Sequence, residues 1–144
     1  ELAEKLGAEF TADPYDGELS TIIRDVNDGG RADVVIECVG ADQDDTIPQA
    51  VGCIESGGLV VVVGSFANDR ATVPIIDFKF HEKRLIGSQS MPEGYGPTFD
   101  RLVDGSIKAT PLIPHRVVLD DLPDIFGLLE GKGEGIVKAI LNPS

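Results

Sequence analysis

Tryptophan is absent from the 144 residues, and there are only 2 Tyr and 6 Phe. A core built from this chain must come from Val, Ile, Leu and Ala, a diet that suits buried parallel strands flanked by helices. Cations are also scarce: 12 Lys and Arg stand against 25 Asp and Glu, a formal net charge of −13. That balance argues against nucleic-acid binding, which calls for clustered Lys and Arg along a phosphate backbone. The acid excess is read instead as solubility or a salt-adapted source. No apolar run approaches the ~18 residues of a membrane span. The opening stretch ELAEKLGAEF lacks the basic start and apolar middle of a signal peptide, and without a start Met, Glu1 reads as the edge of a fragment. Cysteines number 2, Cys38 and Cys53, with no Cys-x-x-Cys and no neighbouring His. No metal site is expected from them, and reduced thiols suit the cytoplasm.

What is present is a regular alternation. Leu2, Ala3 and Leu6 at helical spacing, closed by Gly7, read as the tail of a helix. AEFTAD (8–13) reads as a short strand stopped by Pro14. Leu19, Ile22, Ile23 and Val26 trace one helical face, which NDGG (27–30) ends. ADVVIECVG (32–40) is too short for a helix and too continuously apolar for a half-exposed strand, so a buried parallel strand is expected. Asp42 to Asp45 offer N-caps to a helix that carries Ile47, Ala50, Val51 and Ile54 inward and stops at ESGG (55–58). LVVVVGS (59–65) and KRLIGSQS (83–90) are two further strands, with TVPIIDF (72–78) an extended piece between them. YGPTFDRLVDG (95–105) reads as a helix with Phe99, Leu102 and Val103 facing in. LIPHRVVL (112–119) is extended, and DDLPDIFGLLEG (120–131) is helical with Leu122, Ile125, Phe126 and Leu129 buried. GIVKAIL (135–141) is a closing strand.

Strand–helix alternation of this kind belongs to an open α/β sheet, which binds ligands at the carboxyl ends of its strands. Gly40, Gly64 and Gly87 mark three such ends and are expected along one rim, where glycine lets a flat ligand approach the backbone. Three glycines that merely begin tight turns are the plainer alternative.

GGRADVVIECVG, ESGGLVVVVGS, RLIGS, PLIPHRVVLDD and GIVKAIL follow one another in the order and spacing of the zinc-type medium-chain alcohol dehydrogenases. The sequence resembles that family over essentially its whole length. The resemblance implies a partial Rossmann-type doubly wound parallel sheet, strands 3 to 6 of the order 3-2-1-4-5-6, over residues 1–112. Residues 113–144 would return to a catalytic domain. It further implies that Val39 and Gly40 line the adenosine side of a crevice for NAD or NADP. Val63, Gly64 and Ser65 would flank the nicotinamide, Ser88 and Gln89 would offer backbone groups to its carboxamide, and Lys138 would approach the pyrophosphate. In the family a hydride passes between nicotinamide and a small alcohol or carbonyl substrate while zinc polarises the oxygen. Zinc is expected only in a catalytic domain outside this chain.

Several family features are not in the sequence. The Gly-rich phosphate fingerprint that opens the first βα unit is absent, and GKGEG (131–135) is a turn before a strand, with Ile136 in the third glycine position. No catalytic residue is assigned: His81 lies in the charged stretch KFHEKR, and His115 matches a position near the domain junction, beside Pro114 where the family has Thr. With no strand 1 or 2 for strand 3 to join, the chain is expected to rearrange that strand, associate through a bare edge, or form one piece of a longer polypeptide, inactive alone. Two other readings stay open. One is the coenzyme half of a zinc-free quinone or enoyl reductase. The other is an interaction module that pairs with its twin through TVPIIDF and the edge of strand 6, as a homo-oligomer.

Overall fold

The computed structural model describes residues 2–40, 44–89, 92–113, 115–130 and 137–143. In chain order the helices and strands are α1 (Leu2–Lys5), α2 (Leu19–Val26), β1 (Ala32–Glu37), α3 (Thr46–Cys53), β2 (Ile54–Val62), α4 (Ile75–Phe80), β3 (Arg84–Gly87), α5 (Tyr95–Val103), β4 (His115–Val118), α6 (Leu122–Glu130) and β5 (Ala139–Asn142). Two compact units result, one of residues 10–90 and one of residues 1–9 with 91–144.

The unit of residues 10–90 is built on a three-stranded sheet of order β1-β2-β3, all parallel. Val35 lies beside Val60, Ile36 beside Val61 and Glu37 beside Val62, while Val62 in turn lies beside Gly87. The three glycine-ended strands of the sequence reading therefore run side by side in one direction. α3 packs on one face of the sheet and supplies Ile47, Ala50 and Val51 to a core completed by Ile54 and Val60. Val35, Val62, Phe66, Val73 and Phe78 pack around that cluster. α3 runs straight into β2 without the expected stop at 55–58. ESGG lies inside the strand, bulged at Gly57 with φ +75°. A β-carbon at Gly58 would lie 2.9 Å from the Glu55 carbonyl oxygen of the same bulged strand and 3.2 Å from that of Asp33 in β1, so the bulge favours glycine there.

Several expectations are corrected. β1 is buried on one face only, because the elements of this unit cover one face. Val34 and Ile36 are 51% and 61% exposed. Parallel strands are buried twice over only where helices lie on both sides. Residues 8–13 form no strand, and Phe10 is exposed. TVPIIDF is not extended. Pro74 stands at the helix N-cap with φ −72°, and Ile75 onward coils into α4. Asp45 precedes α3 as expected but makes no side-chain cap bond. Asp42 lies outside the described residues, as do Pro114 and GKGEG (131–135).

In the other unit β4 and β5 pair in parallel, His115 beside Ala139 and Val118 beside Asn142. α5 and α6 form where their spacing predicts, but their apolar faces are mostly open. Phe99, Leu102 and Val103 are exposed, and of the α6 set only Ile125 is buried, with Leu122 half-buried and Phe126 and Leu129 exposed. A two-stranded sheet of four-residue strands has too little surface to cover two helices.

Candidate functional site

Parallel pairing in register brings the carboxyl ends of β1, β2 and β3 to one rim, and backbone hydrogen bonds lock the tips together. The N–H groups of Val63 and Gly64 both donate to the Glu37 carbonyl, at 2.8 and 3.0 Å, and the Ser88 N–H donates to the Val62 carbonyl at 2.8 Å. Val39, Gly40, Val63, Gly64, Ser65 and Ser88 are thereby drawn together, with the exposed Gln89 next in line. Of the backbone groups that Ser88 was expected to offer, the N–H is taken by this bond. That N–H is spent within the sheet, and Ser88 retains its carbonyl and hydroxyl.

Close approach rather than torsion demands glycine at 64 and leaves little room at 40. A β-carbon at 64 would sit 2.2 Å from the Val39 carbonyl oxygen and 2.5 Å from Glu37 Oε2. One at 40 would sit 3.0 Å from the Ser65 carbonyl oxygen. Gly87 differs, since nothing lies within 4 Å of the place its β-carbon would take, so the tip of β3 faces open space.

The residue that sequence reasoning missed is Glu37. It is 4% exposed, its Oε1 accepts the Val39 N–H at 2.9 Å, and its Oε2 is enclosed without a partner. The available signal was an acid set between Ile36 and Cys38, one strand step before the rim.

Beside the rim, the segment after Ser65 arches over a cavity of about 490 Å³ with an apolar floor of Ile47, Val62, Phe66 and Leu85 and a polar edge of Asn68 and Arg70. At the opposite end of the sheet, where β3 begins, Lys83 is buried. Its Nζ donates to the Val51 carbonyl and to Asp77 Oδ2, both at 2.7 Å, and His81 Nδ1 lies 2.7 Å from Asp77 Oδ1. The hydrogen bond from Lys83 is the main cause that holds the Asp77 carboxyl below the usual carboxylate range. His81 is exposed, as expected, and serves this structural cluster. Burial raises the Cys53 thiol, and both cysteines are free.

The remaining expected residue, Lys138, is exposed and directly precedes β5 in the other unit. His115 on β4 is half-buried, and its Nδ1 is enclosed without a partner. Among the described residues no three His, Cys, Asp or Glu side chains gather as a metal site, and no helix is long and apolar enough to cross a membrane.

A family model described as zinc-binding dehydrogenase matches residues 1–104. A sorbitol dehydrogenase of Halalkalibacterium halodurans is 26% identical over 98% of the chain, which spans 40% of that relative's length. Sorbitol dehydrogenase 1 of Saccharomyces cerevisiae is 30% identical over 93% of the chain and 37% of its own length. A zinc-binding dehydrogenase structure from Sinorhizobium meliloti 1021, bound to NADP, is 32% identical with a TM-score of 0.82, covering 99% of this chain and 41% of that one. The chain thus spans about two fifths of the length of the relatives it matches. This chain belongs to the zinc-binding dehydrogenase family.

Proposed function

We propose that this chain holds and orients a nicotinamide dinucleotide, NAD or NADP, within a longer alcohol dehydrogenase-like oxidoreductase of the cytoplasm. The observation that carries the reading is the shared rim, with three parallel strands ending on Gly40, Gly64 and Gly87, the first two interlocked and the third open. Val39 and Gly40 would hold the adenosine side, Val63, Gly64 and Ser65 the nicotinamide, and Ser88 and Gln89 its carboxamide. Lys138 would meet the pyrophosphate, which its charge suits. Bound there, the nicotinamide supplies the hydride acceptor or donor for a small alcohol or carbonyl compound. The residues of this chain bind and orient it and shape the crevice. Residues 113–144 would lead back to a catalytic domain where zinc sits, and the described residues hold no such ligand set. Alone, the chain would be inactive.

Calorimetric titration of the chain with NAD(H) and NADP(H) tests this reading. Without the Gly-rich phosphate grip, binding no tighter than about millimolar is expected. Micromolar affinity would mean that a different site is at work.

A second reading is favoured by one observation. Ile75, Ile76 and Phe80 of α4 are exposed and, with Pro74, Asp77 and His81, line an apolar groove of about 530 Å³. Such a patch suits pairing with a second copy.

A further inference from the structure

Glu37 is a buried acid for which the packing alone gives no reason. Leucine or methionine would fill the same space without leaving Oε2 enclosed and unpartnered, a costly condition for a carboxylate. What an acid adds is visible in its bonds. The backbone carbonyl takes the N–H groups of Val63 and Gly64, and the side chain turns forward so that Oε1 takes the N–H of Val39. Oε2 and the Val39 carbonyl then crowd the α-carbon of Gly64 so closely that no side chain fits. One residue thus grips the turn that leaves β1 and the turn that leaves β2.

We propose that Glu37 is a positioning residue of the nucleotide rim: its carboxylate fixes the 38–40 turn through the Val39 N–H while its own carbonyl holds Val63 and Gly64, so that both backbone segments are set before a nucleotide arrives. The proposal rests on the reading of the rim as a nucleotide site and adds to it the group that fixes the rim's shape. The latch acts through Val39 and Gly64, and Glu37 itself is too enclosed to touch a ligand. Removing the side chain strands the Val39 N–H and frees the 38–40 turn, while the Glu37 carbonyl keeps the bonds from Val63 and Gly64. Glutamine at 37 keeps the acceptor at Oε1 and sets an amide donor where Oε2 stood, beside the Val39 carbonyl, so the latch survives without charge.

Amide hydrogen exchange and an NADH titration followed by 15N correlation spectra, on the chain and on Glu37→Ala and Glu37→Gln, test this. Glu37→Ala should speed exchange at Val39 by about tenfold or more, with Gly64 protected by the retained backbone carbonyl, and weaken NADH by about fivefold or more. Glu37→Gln should restore both to near wild type, with thermal melts run on each variant. Val34→Ala, on the open face of the same strand, controls for general loosening and should do neither. Unchanged exchange at Val39 in Glu37→Ala overturns the latch. So does a Glu37→Gln protein that behaves like the alanine variant. If Glu37→Ala does not fold, the glutamine variant decides alone, and a loss of NADH affinity beyond about fivefold overturns the proposal. A wild-type chain whose rim amides ignore NADH overturns the nucleotide reading, and the positioning role with it. That failure is told apart by exchange effects that persist without a binding effect.

Discussion

At Gly64 and Gly87 the same residue type answers different demands. The place of a β-carbon at 64 is filled by the Val39 carbonyl and the Glu37 carboxylate, whereas at 87 it is empty. Gly64→Ala should therefore cost about 2–3 kcal/mol through forced displacement of backbone. Gly87→Ala should stay within ~0.5 kcal/mol. Paired denaturant melts read the difference, and equal costs would mean that the strand tips are not interlocked. Lys83 invites a second comparison. Replacement by Met keeps the stem but leaves the Val51 carbonyl and Asp77 without their donor, a loss of about 1–3 kcal/mol in the same melts. Asp77 itself sets a pH dependence. Its folded pKa is lowered, first by the Lys83 hydrogen bond, so its contribution is fully present above the unfolded value and fades as pH falls through the lower folded one. The stability gap between the chain and Asp77→Asn should be flat from neutral pH down to about 5 and close below about 4. A gap that widens on acidification would show that the pair is not formed.

At the scale of elements, what could be read from the sequence depended on how local each signal is. β1, β2 and β3 were legible because a short β-branched run ending on glycine states both the strand and its end. α3, α5 and α6 were legible as helices from their spacing. The strand expected at 8–13 was not, since a strand is a property of a pair and no sequence window contains the partner. α4 was hidden by its own β-branched start, where Pro74 was the better guide. The faces of α5 and α6 were named correctly as apolar, yet periodicity says nothing of whether another element covers them. At the site, the glycine rim was visible in the sequence, whereas Glu37 was not, because its role lies in bonds made to two different strands.

Taken whole, the molecule exposes much apolar surface for its size: Val34, Ile36 and Ile86 on the sheet, and Ile75, Ile76 and Phe80 on α4. Surface of this kind is a site for association. Replacing Ile75 and Ile76 with Lys should convert a dimer to a folded monomer in light scattering, and an unchanged mass would count against the α4 surface as the interface. With a net charge of −13, self-repulsion works against the compact state and is screened by salt. The thermal midpoint should rise when NaCl is raised from low to about 0.5 M.

All of these readings depend on the nucleotide lying across the level carboxyl ends of three co-directional strands. The most direct test is residue-resolved NADH titration of the wild-type chain by 15N correlation spectra. Movements concentrated at residues 39–40, 63–65 and 88–89 are predicted, with weak affinity. Movements centred instead on the other end of the sheet, around Arg31, Glu55 and Lys83, or no movement at several millimolar NADH, would contradict it.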